Sequence, residues 1–147
     1  MNKNERFEKI YFQGQLNEKE VLDKWFLAFA ADVEAKFMEE HVLSKGNYLW
    51  HIFSWEAVPC LTGEAACRAF DSLEYDTAIM FENGYSWSQD GTCCCADSTK
   101  LSNLKYTKKV SAIDLDATDD VYIVAADFSW VYVHTHEGMC GPYFCKK

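Results

Sequence analysis

The chain has 147 residues, 49% apolar and 16% aromatic, with only two prolines and seven glycines: material for one packed domain, and not for a disordered or collagen-like one. Its formal net charge is −9 and no basic stripe runs among the aromatics, which argues against nucleic acid and favours a basic protein as the partner such a field attracts. No apolar run reaches the roughly 18 residues that cross a bilayer, the N-terminal MNKNERFEKIYFQG lacks a secretory apolar core, and seven cysteines cannot all pair within one chain. The expectation is a cytoplasmic protein with reduced thiols and no membrane association.

Residues 1–16 read as an N-terminal extension. Within it, Glu8 to Gly14 fit the E-x-x-Y-x-Q-G pattern cut by a plant-virus processing protease, which reads as a coincidence ahead of an engineered cleavage site and carries no functional weight. Asn17 followed by Glu20 resembles a capping box, and Val21, Leu22, Trp25, Phe26, Phe29, Val33 and Phe37 recur at helical spacing behind it. One helix to about residue 43 fits, as do two with a bend near residues 30–32; Ser44 to Asn47 end the pattern. The aromatic-rich residues 48–54 predict a strand. Thr62 is placed to cap a helix running to about Leu73, with Ala65, Ala66, Ala69 and Phe70 on its buried face. DTAIMF and YSWS predict two strands joined by a hairpin at Asn83-Gly84. QDGTCCCADSTK reads as a loop, and residues 100–109 as a short helix. DVYIVAA and FSWVYVHT predict adjacent antiparallel strands, and PYF a short edge. The sum is a single α+β domain over residues 17–147, two or three helices packed on a mainly antiparallel sheet of about five strands.

The blocks YLWHIFSWE, TGEAACRAFD and DFSWVYVHTHEGMCGPYF, in this order and spacing, resemble a bacterial family catalogued as domain of unknown function 4275. The resemblance covers about Leu22 to Phe144 and rests on the succession of aromatic-rich blocks, not on a single motif. It implies no activity, cofactor or catalytic residue. The triplet Cys93, Cys94 and Cys95 is not a feature associated with that family.

Chemistry-bearing residues concentrate in HTHEGMCGPYFC, residues 134–145. On a strand His134 and His136 share one face about 6.8 Å apart, so both imidazoles can lean onto one zinc ion with Cys140 as third ligand. An open fourth position would then suit water activation and a metal-dependent, hydrolase-like role. The plainer reading is a strand face of Phe128, Trp130, Tyr132, His134 and His136 ending in a glycine-proline turn, with no cofactor. The cysteine triplet suggests a thiol redox sensor. Against that, Asp90 and Asp97 flank it, and no Lys or Arg lies within four residues to stabilise a thiolate. Nucleophile-elbow, calcium-loop, phosphate-loop and dinucleotide signatures are all missing, and Asp114, Asp116, Asp119 and Asp120 read as a solvated loop.

The leading expectation is a non-catalytic protein-binding domain for a basic partner, comparable in size and charge to small immunity proteins. Surplus aromatics are the surface to look for, with Trp50, Trp87, Trp130 and Glu137 as its candidate residues.

Overall fold

The computed structural model describes residues 16–44 and 46–147, so the Glu8–Gly14 pattern lies outside the described residues. Helix α1 (Glu18–Phe29) starts at Asn17, whose side-chain oxygen accepts the Glu20 backbone N–H at 3.0 Å and satisfies one of the helix's free donors. It buries Val21, Leu22, Trp25 and Phe29 at the predicted spacing. The apolar stripe runs on but the helix does not: a turn follows Ala30, and α2 (Ala35–His41) is separate.

The strand expected at residues 48–54 is instead a short helix, α3 (His51–Ser54), entered by a turn. Leu49, Trp50, Ile52 and Phe53 are all buried, at relative positions 0, 1, 3 and 4. That is one helical face, and its period overrides the β-propensity of the aromatics. After β1 (Leu61–Thr62) comes α4 (Gly63–Asp71), which buries Ala66 and Phe70; Thr62 stands at its N-cap position but its side chain makes no capping bond.

Two long strands, β2 (Thr77–Trp87) and β3 (Cys94–Lys108), form the largest hairpin. Here three expectations are corrected. Asn83-Gly84 is no turn, because β2 runs straight through it. The Asn83 N–H is taken by the Asp120 carbonyl at 3.1 Å, and a side chain at Gly84 would stand 2.2 Å from the Lys100 carbonyl oxygen. Glycine is required there by close backbone approach, not by turn conformation. The chain reverses later, where Ser88 N–H reaches the Cys93 carbonyl and Gly91 adopts φ +72°. Residues 94–99 and 100–108, read as loop and helix, therefore form one bulged strand: Asn103 takes φ +52° beside a register shift.

A single 3₁₀ turn (Ala112–Leu115) leads to β4 (Val121–Ala125), β5 (Trp130–His134) and β6 (Tyr143–Lys146). The strands make one open antiparallel sheet in the order β1-β6-β5-β4-β2-β3. β4 and β5 are adjacent as expected, and β6 is an interior strand, flanked by β1 and β5. With four helices and six strands among the described residues, the protein is an α+β domain.

Both faces of the sheet are covered. Tyr122 and Val124 of β4 face α1, α2 and α3, in a cluster with Trp25, Trp50, Phe53 and Phe81. Val121, Ile123 and Ala125 face α4 and the 3₁₀ turn, with Phe70, Trp130, Tyr132 and Phe144. The rings of Phe70 and Tyr132 stack at 4.1 Å and 8°. A strand buried on both faces shows a continuous apolar run, and VYIVA is one.

Candidate functional site

The polar centre of the molecule is Asp120, 4% exposed, at the entrance to β4. It was expected in a solvated loop; burial is possible because three donors converge on its carboxylate. Trp50 Nε1–H donates at 2.8 Å, the His136 backbone N–H at 3.2 Å, and His136 Nδ1 lies 2.9 Å from Oδ2. The Trp50 backbone N–H in turn donates to the Tyr122 hydroxyl at 3.1 Å. These bonds tie the entry to α3 onto β4 and fix the His136 ring.

His136 keeps about a third of its side chain exposed (33%), and its Nε2 stands 3.4 Å from Glu137 Oε1. The hydrogen bond to Asp120 raises its pKa above the ordinary histidine value, against a smaller opposing effect of burial. Tyr48 contacts both His136 and a second histidine, His51: ring centroids are 5.1 Å from Tyr48 to His136 and 5.7 Å from Tyr48 to His51. His51 Nδ1 meets Ser54 Oγ at 2.9 Å, and burial lowers its pKa, so the two imidazoles differ in charge tendency within one patch.

Around this pair the surface is aromatic and acidic. Tyr48 stacks on Trp50 at 5.2 Å and 18°. Tyr85, 47% exposed, lines a groove of about 290 Å³ with Glu82, Asn83, Ser102, Asn103, Asp119 and Asp120. Trp87, 67% exposed, lies two positions further along a regular stretch of β2 and so on the same strand face as Tyr85. Burial raises the pKa of both Tyr48 and Tyr85, and Asp120 adds to it in each case. Towards α2, His41 packs between Phe37 and exposed Trp55, at 4.8 and 4.7 Å.

The residues picked from the sequence are only partly brought together. His134 and His136 do not share a face. His134 follows Trp130 and Tyr132 on the α4 side, where its Nδ1–H donates to the Asp119 carbonyl at 3.1 Å. The strand ends there, the chain bends at Thr135, whose hydroxyl donates to the Cys140 carbonyl, and His136 swings to the α3 side against Tyr48 and Trp50. The Cys140 thiol lies by Glu137 and Tyr143, with its pKa raised by burial first and by Glu137 second. Among the described residues no three His, Cys, Asp or Glu side chains form a group that could hold a metal ion. Trp50 and Trp130 are 1% and 6% exposed and belong to the core, whereas Trp87 and Glu137 are on the surface. Cys93 and Cys94 are exposed free thiols at the β2–β3 turn, with Cys94 opposite Trp87 and Cys95 opposite Ser86.

Sequence reasoning missed Asp120, Tyr48, His51 and Tyr85 as a group. Trp50 and Asp120 are 70 positions apart, and no local spacing announces their contact.

Among the described residues no helix is long and apolar enough to cross a membrane. No curated protein and no solved structure matches the chain. A family model does, over residues 2–144, nearly the whole length and beginning earlier than the blocks that carry the resemblance. The chain belongs to that family, described as Domain of unknown function (DUF4275).

Proposed function

We propose that this domain is a non-catalytic binding module for a basic protein, immunity-like in manner, and that it docks its partner on the surface around Tyr85, Trp87, Tyr48 and Glu137. The observation that carries this reading is the groove in which half-exposed Tyr85 stands beside Glu82, Asp119 and Asp120, with Trp87 projecting on the same strand face. Aromatic faces attract Lys and Arg head groups through the ring quadrupole, and neighbouring carboxylates pair with them. The net charge of −9 adds long-range attraction for the same class of partner.

The test is selection of binders from a displayed library of small domains with Lys- and Arg-rich surfaces, followed by affinity measurements on single binders. Binders specific for this surface should lose affinity by about tenfold or more with Trp87→Ala or Tyr85→Ala, and should weaken steeply between about 50 and 500 mM salt. Affinity indifferent to both substitutions, or unchanged across that salt range, would sink the reading.

A further inference from the structure

The β1–β6 pairing brings two free cysteines face to face. Leu61 pairs with Phe144 and Thr62 with Tyr143, so the next position outward sets Cys60 opposite Cys145. The type of that position follows from two independent hydrogen bonds. Gly63 N–H donates to the Pro142 carbonyl at 3.0 Å, which makes 63/142 a hydrogen-bonded pair and, counting alternately, 60/145 a non-hydrogen-bonded one. On the other edge of β6, Lys147 N–H donates to the Ser129 carbonyl at 2.9 Å; Val131/Cys145 is then a hydrogen-bonded pair, and the backbone of Cys145 points away from Cys60. Directly opposed residues of the non-hydrogen-bonded kind have Cα atoms about 4.5 Å apart, inside the roughly 4.4–6.8 Å that a disulfide spans. The side chains also agree: Cys145, 7% exposed, and half-buried Cys60 both pack into the cluster on the α1–α3 side of the sheet.

We propose that Cys60 and Cys145 are an oxidation site: a cross-strand pair that closes to a disulfide in the presence of a low-molecular-weight disulfide such as glutathione disulfide, stapling β1 to β6. The more accessible Cys60 thiolate attacks one sulfur of glutathione disulfide and expels a glutathione thiolate. Cys145, on losing its proton, attacks the Cys60 sulfur of the mixed disulfide and expels the second. Two electrons and two protons pass from the protein thiols to glutathione disulfide, which leaves as two molecules of reduced glutathione. Burial pushes the Cys60 thiol up to about 11 and raises Cys145 as well, so thiolate is scarce near neutrality and closure is slow there, faster in mild alkali. Cys60 lines two surface cavities, one against Tyr143 and Gly141 and one against Phe144 and Trp130, and the staple would fix the wall between them.

The experiment incubates the full chain with glutathione disulfide, digests it without reduction and sequences linked peptides by fragmentation that separates Cys60 from Cys67 and Cys145 from Cys140. The expected product is a Cys60–Cys145 link, together with a dithiothreitol-reversible rise in melting temperature of roughly 5–15 °C. Cys60→Ser should lose both, while Cys93→Ser retains both. A link of Cys60 to Cys140, or glutathione on Cys60 with Cys145 still a free thiol after prolonged mildly alkaline incubation, would overturn the proposal.

Discussion

Two tryptophans of the same core have opposite polar fates. Trp50 donates its indole N–H to a buried carboxylate, whereas Trp25 Nε1, fully buried among Phe26, Phe29, Phe53 and Tyr122, has no hydrogen-bond partner among the described residues. Trp50→Phe and Trp25→Phe remove comparable ring volume, so the difference between them isolates the bond to Asp120. Chemical denaturation should show Trp50→Phe to be the more damaging by about 1.5–3 kcal/mol, the range of a hydrogen bond to a charged group. Equal losses would mean that Asp120 is held well enough by His136 alone. His136 adds a pH signature. Its pKa is raised on folding, so its contribution is fully present below the ordinary imidazole value and fades as pH rises through the elevated one. His136→Gln should therefore destabilise the protein at about pH 5.5 and much less at about pH 8.5. A loss that is constant across pH would assign His136 to packing alone.

At the scale of elements, legibility followed periodicity. The stripe from Val21 to Phe29 predicts a helix and the run VYIVA a strand, and both are found where expected; that VYIVA is buried on both faces is a finding of the structure. Residues 48–54 misled because their aromatic content outweighed their helical spacing. Asn83-Gly84 misled because its glycine answers to Lys100, across the sheet, rather than to a turn. The same blindness hid the site: HTHEGMC shows the residues, but whether His134 and His136 converge depends on the bend at Thr135. Two substitutions test these element-level assignments. Gly84→Ala should destabilise by about 1–3 kcal/mol through the clash with the Lys100 backbone of the neighbouring strand, and a loss under about 0.5 kcal/mol in unfolding titrations would mean that the two strands separate there at little cost. Phe70→Ala, which empties the space between α4 and the sheet, should cost about 3–5 kcal/mol. A loss under about 1 kcal/mol in unfolding titrations would mean that α4 is not a structural layer of the core.

For the whole molecule, both faces of the sheet are covered, and charged and aromatic groups gather along one rim. Tyr48 comes from the turn before α3, Tyr85 and Trp87 from β2, and Asp119, Asp120 and Glu137 from the ends of β4 and β5. The surface exists only when all of these segments are assembled, so binding of the basic partner proposed above should protect the native state as a whole. Hydrogen exchange with a bound partner would show added protection in β2, β4 and α3 together; protection confined to the β2–β3 turn would point to a local epitope.

The position of β6 also bears on how the chain acquires this structure. β6 lies between β1 and β5, so the first strand in sequence, residues 61–62, has no sheet to join until residues 143–146 are in place. Until then the residues of β1 have no strand partner. Closing a contact across 80 or more intervening residues is the kind of late, entropically costly event that slows folding. A chain truncated before residue 143 should thus hold β2 to β5 without a finished edge, and be a better client for chaperones than one that includes β6.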